Sequence, residues 1–235
     1  MKIKELIKIR DLPYIYIYKF RKWLKQQHIQ SYSQYQQDLF VMYFFRNKKD
    51  LFFVDIGAND GITLSNTYLL EQNGARGILI EADSNVFADL LKNRPNTNIA
   101  KYNVAVCEND GELEFLQISG YAQMLSGILD KYDQRHLERI KREVKQFGGS
   151  IEIKTIQGLR FDTIMKHHQK HIDYLSIDIE GGEMSVLQTI DFNAYDITLI
   201  GIENNYKNRE ISNFLRNKGY KKIIQLGCDE FYLKQ

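Results

Sequence analysis

From residue 50 onward, short apolar runs alternate with stretches in which apolar positions recur every three or four residues. Leu51–Ile56 is almost wholly apolar and runs through an acid into glycines, the pattern of a parallel strand buried on both faces. A helix is expected over Ser65–Glu71, closed by Asn73 and Gly74. Gly77–Glu81 reads as the second strand, Ser84–Asn93 as a helix stopped by Pro95, and Ile99–Cys107 as the third strand. Gly111–Ile118 alternates and is expected to be an added antiparallel strand. Ser119–Ser150 is less regular, with a charged helical portion over Tyr132–Phe147. A strand at Ile151–Ile156 and a helix at Phe161–His167 follow. Alternation then resumes with strand Ile172–Ile179, helix Glu183–Ile190, strand Ile197–Glu203 and helix Ile211–Lys218. The last two strands, Lys222–Leu226 and Glu230–Lys234, are separated by a turn too short for a crossover helix, so they form an antiparallel edge. Repeated strand–helix–strand units predict a Rossmann-like α/β fold, a mainly parallel seven-stranded sheet with an antiparallel C-terminal edge.

Composition adds bounds. The 235 residues suffice for one substantial core, and 43% apolar with 26% charged residues is ordinary for a soluble globular chain. Cys107 and Cys228 stand far apart with no CxxC pair, which argues against a zinc site or a disulfide framework and suits two buried thiols in a reducing cytoplasm. No apolar run approaches the length of a membrane span, and Lys4, Glu5, Lys8, Arg10 and Asp11 interrupt any signal-peptide core.

Charge is distributed unevenly. Residues 1–25 hold eight basic groups against Glu5 and Asp11, a net +6, which leaves −4 for the rest of a chain whose total is +2. Tyr14, Tyr16, Tyr18, Phe20 and Trp23 lie among those basic groups. Two readings are open: an arm held on an anionic membrane surface, or a helix packed on its own domain or on a second subunit of a homo-oligomer. Residues 1–30 are taken as a basic and aromatic N-terminal extension, and 31–235 as the main domain.

Ligands of such sheets bind at the carboxyl ends of the strands. The first strand ends Asp55-Ile56-Gly57-Ala58-Asn59-Asp60-Gly61. The GxxxG spacing lacks the second glycine that makes room for a dinucleotide pyrophosphate, and Asp55 would repel one. A carboxylate there instead orders the loop or accepts, through water, from an ammonium group, a combination that suits S-adenosylmethionine. Gly57 and Gly61 are expected to let backbone approach the ligand. Glu81, about twenty residues past Gly61, is placed to accept from a ribose diol. Ala105 and its neighbours can flank an adenine ring.

The fourth strand ends Asp178-Ile179-Glu180-Gly181-Gly182-Glu183 and the fifth Glu203-Asn204-Asn205. Such carboxylates need a cation, a proton or hydrogen-bond donors to offset their repulsion. Asp178, Glu203 and Asn204 are therefore a candidate Mg²⁺ site; the alternative is that they bind the methionine amino group, cap the next helix or meet the acceptor directly. Candidate general bases are Asp178, Glu180, Glu203 and His136, the last read either as part of a segment covering the site or as an exposed helix histidine. His167, His168 and His171 precede the fourth strand and belong to the opposite sheet edge, as solvated loop.

The segments Phe53–Gly61, Ile80-Glu81 and Asp173–Glu183 resemble the FkbM family of S-adenosylmethionine-dependent methyltransferases. The likeness extends to Ser33–Asp38, similar to an SQxGQD segment with Gln36 in place of its glycine, to Met124–Gly127, to Glu203–Tyr206 and to Asp229–Tyr232. The resemblance implies O-methylation, often of a sugar or natural-product hydroxyl. A glycan built at the inner face of a membrane is the expected acceptor. No nucleic acid is expected, because the proline motif of amino-group methylation after strand four is replaced by Glu180-Gly181. A non-catalytic subunit that keeps the fold is the rival from another class.

Overall fold

The computed structural model describes residues 12–132 and 134–235. Helices α1 (Leu12–Leu24) and α2 (Gln37–Phe44) precede β1 (Phe52–Ile56), α3 (Tyr68–Gln72), β2 (Arg76–Ile80), α4 (Ser84–Asn93) and β3 (Ile99–Tyr102). Next come β4 (Ala105–Val106), β5 (Gly111–Ile118), β6 (Gly127–Ile128), α5 (Gln134–Phe147), β7 (Ile151–Leu159) and α6 (Phe161–Met165). The chain closes with β8 (His171–Ile177), α7 (Glu183–Thr189), β9 (Asp196–Glu203), α8 (Arg209–Asn217), β10 (Tyr220–Leu226) and β11 (Asp229–Lys234).

Seven strands form the main sheet in the order β10-β11-β9-β8-β1-β2-β3. The β9–β8–β1–β2–β3 ladders are parallel, and β11 inserts antiparallel between β9 and β10. The Rossmann-like sheet with its antiparallel edge is therefore as expected. Successive β1 side chains enter opposite cores: Phe52, Val54 and Ile56 join Leu175, Ile177 and Ile200 on one face, while Phe53 joins Phe40 and Phe231 on the other. Burying each such side chain is worth roughly 1.5–3 kcal/mol. After β1 the chain moves outward through β2 and β3, then returns to the other side of β1 at β8. That reversal opens a crevice between the carboxyl ends of β1 and β8.

The expected third strand, Ile99–Cys107, is divided. Asn103 turns its side chain back to donate to the carbonyls of Glu81 (2.9 Å) and Ala82 (3.1 Å), which replaces the next backbone rung after β3. The chain then enters a second sheet as β4. That sheet has four strands, β4-β7-β5-β6, so the Gly111–Ile118 strand is antiparallel as expected but lies outside the main sheet.

Helix α1 packs on this domain. Phe20 is buried against Phe40 (ring centroids 5.4 Å apart) and Tyr43 (5.7 Å), and Trp23 lies 5.6 Å from Tyr43. Tyr18, Lys19, Arg21, Lys22 and Lys25 face solvent. The remaining basic groups of the arm, Lys2, Lys4, Lys8 and Arg10, lie outside the described residues. Among the described residues no helix is long and apolar enough to cross a membrane.

Candidate active site

The loops after β1, β2, β8 and β9, together with β4, open onto one cavity of about 670 Å³ at the carboxyl edge of the main sheet. Its outer walls are Tyr121–Ile128 and the segment Gln34, Tyr35 and Gln37.

One end is bound together by backbone donors. Asp55 is buried, and its Oδ2 accepts from Thr67 Oγ1 at 2.6 Å. Burial raises its proton affinity, while Thr67 and the Arg94 guanidinium oppose the rise. Ile80 O accepts from Gly57 N (2.9 Å) and Ala58 N (3.0 Å). Glu81 accepts from Asn59 N (2.9 Å) through one oxygen and from Asp83 N (2.8 Å) through the other, so it ties the first two loops together. Burial nevertheless pushes Glu81 up to about 7. Asp83 caps α4, accepting from Asn85 N (2.9 Å), and also accepts from Gln117 Nε2 (2.6 Å). Ile80, Val86, Val104, Ala105, Val106 and Phe115 supply an apolar lining beside these acids.

The other end concentrates charge. Asp178 is held well above the usual carboxylate range by burial and then by the neighbouring Glu203. Glu203 is pushed up to about 9 by burial and then by Glu180. Glu180 rises to about 8 through burial and the Asp178 charge, with Arg139 opposing. Its backbone is left-handed (φ 56°), at a cost of roughly 1–2 kcal/mol for a residue with a Cβ. Glu180 Oε2 lies 3.9 Å from both His136 Nε2 and Arg139 Nη1, and it has no hydrogen-bond partner among the described residues. Burial likewise raises Asp229, which accepts from Gln37 Nε2. Glu183 accepts from Gly181 N (2.8 Å) at the start of α7.

Asp55, Gly57, Ala58, Asn59, Glu81, Ala105, Asp178, Glu180 and Glu203 thus share one cavity lining. Several expectations need correction. Gly57 (φ 87°) is glycine because a Cβ there would lie 1.7 Å from the Asp178 carbonyl oxygen. The close approach is loop to loop and does not itself create ligand space. Gly61 faces Arg94, whose Cγ would be 2.6 Å from an added Cβ, and it does not line the cavity. His136 is neither exposed nor at the cavity: it is buried behind Glu180, 4.8 Å from the Tyr132 ring. Asn204 is spent on the turn before α8, accepting from Asn208 N (2.6 Å) and donating to Asn208 O (3.1 Å). The Asp178, Glu203 and Asn204 metal set is therefore not assembled, and no three His, Cys, Asp or Glu among the described residues are arranged to hold a metal ion.

Cys107 is buried as expected, but Cys228 lines the cavity, with Sγ 3.8 Å from Glu203 Oε1. His167 and His168, before β8, and His171, its first residue, do lie at the opposite sheet edge. Two of them are fixed there rather than loosely solvated: His168 contacts Tyr102 OH (2.7 Å), and His171 contacts Asp173 (2.9 Å) and Asp196 (2.8 Å).

Sequence reasoning missed Asp83 and the Arg139–Glu143 pair (2.8 Å), and it placed Gln37 and Asp229 in segments resembling the family without assigning either to the site. Asp83 before an amphipathic run is a helix-cap signal that was available. Gln37 and Asp229 meet only through a contact between distant segments, and Arg139 and Glu143, an i,i+4 pair on α5, line the cavity only through the packing of that helix.

A family profile described as the Methyltransferase FkbM domain matches residues 55–222. The chain belongs to the FkbM methyltransferase family. The match spans the Asp55 loop, Glu81, the acids after β8 and Glu203, so both ends of the cavity are FkbM-domain residues. The walls at Gln34–Gln37 and the tie to Asp229 fall outside the matched range. No curated protein sequence matches the chain significantly. Among solved structures, a methyltransferase from Geobacter sulfurreducens is similar at 11% identity, covering 98% of this chain and 93% of that one, with TM-score 0.46. A TehB-like SAM-dependent methyltransferase from Corynebacterium glutamicum is similar at 10% identity, 95% and 100% coverage, TM-score 0.43. The human methyltransferase 10 domain containing protein is similar at 14% identity, 99% and 85% coverage, TM-score 0.40. The family assignment rests on the profile and not on these structures.

Proposed function

We propose that this FkbM methyltransferase uses S-adenosylmethionine to methylate a neutral hydroxyl, that of a sugar in a glycan or glycoconjugate. The observation that carries the reading is the pairing, in one cavity, of a donor-rich end around Glu81 with an acid-lined end around Glu180 and Glu203. The first end fits the cofactor. Glu81 retains lone pairs for a ribose diol, Val104–Val106 and Phe115 flank a flat ring, and Asn66 Oδ1 is buried with no hydrogen-bond partner among the described residues. Bound there, S-adenosylmethionine supplies a methyl group already activated as a sulfonium.

What this chain contributes is orientation and a proton sink. An alcohol loses its proton late, and a carboxylate shifted to about 8 or 9 matches that task better than an ordinary one. Glu180 and Glu203 are the candidate bases, while Asp178 shapes the field they share. His136, 3.9 Å behind Glu180, acts on that side chain and not on the acceptor. The acidic mouth disfavours phosphodiesters, which speaks for a neutral acceptor and against nucleic acid. Tyr35 and Tyr121, exposed on the rim beside Gln34, Gln123 and Asn205, suit a sugar: rings for its apolar face and amides for its hydroxyls. No step requires Mg²⁺. The solvent-facing Lys19, Arg21, Lys22 and Lys25 of α1 support peripheral contact with an anionic membrane at the cytoplasmic face, where such an acceptor would be presented.

Calorimetric titration with S-adenosylmethionine and S-adenosylhomocysteine tests the cofactor. Release of S-adenosylhomocysteine across a panel of oligosaccharides, glycolipids and small phenolic or polyketide alcohols, with and without Mg²⁺, tests the acceptor. Turnover of a saccharide supports the reading. Turnover of the small alcohols alone moves the acceptor to a natural product, and absence of cofactor binding by folded protein overturns the enzyme reading.

A further inference from the structure

The second sheet ends in a bare edge. β7 pairs with β5 from Ile151 opposite Ile118 to Gly158 opposite Gly111, without a register shift. On its other side β4 reaches only Gly158 and Leu159. Among the described residues no strand covers the outer side of 151–157.

The direction of the backbone groups follows from one contact. Ser119 N donates to Ser150 O at 2.9 Å, which makes that position a hydrogen-bonded pair of the antiparallel ladder. Hydrogen-bonded pairs recur every second residue, so 152, 154 and 156 face β5, while Ile151, Ile153 and Thr155 present their N–H and C=O groups outward. Ile151 and Ile153 are also 40% and 58% exposed. Solitary edges are normally blunted by proline, a bulge, unmatched charge or a covering loop. Here there is no proline or bulge, and the two charges on the exposed stretch, Glu152 and Lys154, are one of each sign.

We propose that this edge pairs with the same edge of a second copy of the chain, antiparallel about a two-fold axis at Ile153. Such an axis makes the contact isologous, with every pairing occurring twice. Ile153 then faces its own counterpart as a hydrogen-bonded pair, and Ile151 faces Thr155 of the second copy. Glu152 faces Lys154 of the second copy at the positions where side chains approach most closely. The charges select this centre. Moving the axis to residue 152 puts glutamate opposite glutamate, and moving it to 154 puts lysine opposite lysine, both unfavourable. The paired assembly joins two four-stranded sheets into one of eight and covers the two exposed isoleucines.

The test is sedimentation velocity on the full chain over about 1–200 μM, the range in which a small interface dissociates. Wild type should shift with concentration from 27.7 kDa toward twice that mass. Glu152→Lys alone, and Lys154→Glu alone, should each raise the dissociation constant about tenfold or more. The exchange carrying both substitutions should restore dimerisation, which neither an unfolded variant nor an unrelated interface would do. Thermal melts establish that each variant folds. A 27.7 kDa species across the whole range overturns the proposal, as does a dimer unmoved by either single substitution, or an exchange that folds yet fails to restore pairing.

Discussion

The two ends of the cavity handle negative charge in opposite ways. At the β1–β2 end each acid is answered by a specific donor: Thr67 for Asp55, the Asn59 and Asp83 amides for Glu81, the α4 amides for Asp83. At the β8–β9 end Asp178, Glu180 and Glu203 crowd one another, and each is raised by its neighbours as well as by burial. The first arrangement is complete before anything binds and suits recognition of a constant ligand. The second holds protons to about 8 at Glu180 and about 9 at Glu203, well above the ordinary carboxylate range, which suits proton exchange with a hydroxyl. Beside the hydrogen bond from Asp178 N to Ile56 O (3.0 Å), what joins them is the passage of Gly57 under the Asp178 carbonyl.

Breaking that contact should have the largest effect. Gly57→Ala places a Cβ on the Asp178 oxygen and strains a φ of 87°, and is expected to lower stability by more than about 4 kcal/mol with loss of cofactor binding. A melting temperature within about 2 °C of wild type would show that the ends are not rigidly joined. Next in size is the contrast between two isosteric substitutions. Glu203→Gln should reduce kcat by about 10²–10⁴ while leaving S-adenosylhomocysteine affinity within about threefold. Glu81→Gln should weaken that affinity about 10–100-fold, with a smaller loss of kcat at saturation. Equal effects of both substitutions on both quantities would erase the distinction between the ends.

A smaller effect appears in stability against pH. The folded chain keeps Glu180 protonated to about 8 and Glu203 to about 9, whereas the unfolded chain releases both protons near the ordinary value of 4.5. The folded state then binds more protons over that interval, so stability must fall as pH rises from about 5 to about 9. Glu203→Gln removes part of the slope and should melt about 3 °C above wild type near pH 8.5 while matching it near pH 5. A wild-type melting temperature that rises over this interval would reverse the assignment. Smallest is Gln36→Gly, which restores glycine at a left-handed position (φ 67°) and should stabilise the protein by about 1 kcal/mol in denaturant titration.

How far the molecule could be read from its sequence follows the same division. The strands were legible because parallel strands buried on both faces are apolar throughout, and their ends were marked by Asp55, Glu81, Asp178 and Glu203. The line-up of those four acids along one edge required only the fold. Side-chain destinations required more. Asn103 ends β3 by bonding two carbonyls some twenty residues earlier, and nothing local distinguishes it from a residue in a continuing strand. His136 is buried because α5 folds back over Glu180, and its charged helix looks solvent-exposed in sequence. Gln37 meets Asp229 across 192 residues, a pairing no spacing rule contains. Asn204 resembled a ligand by position and serves a turn instead.

The place of β11 limits how this protein can be cut. The stretch by which the family is recognised ends at residue 222, before β11 begins, yet β11 is the strand that lies between β9 and β10. A fragment trimmed to 55–222 would keep the glycine loop and every candidate base, but would leave β9 with a raw edge and what remains of β10 without the strand it pairs to. It would also lose Asp229 and the Gln37 segment docked against it. For grafting or minimal expression, the recognisable domain and the portable one are different objects, and the final dozen residues act as the fastening of the sheet.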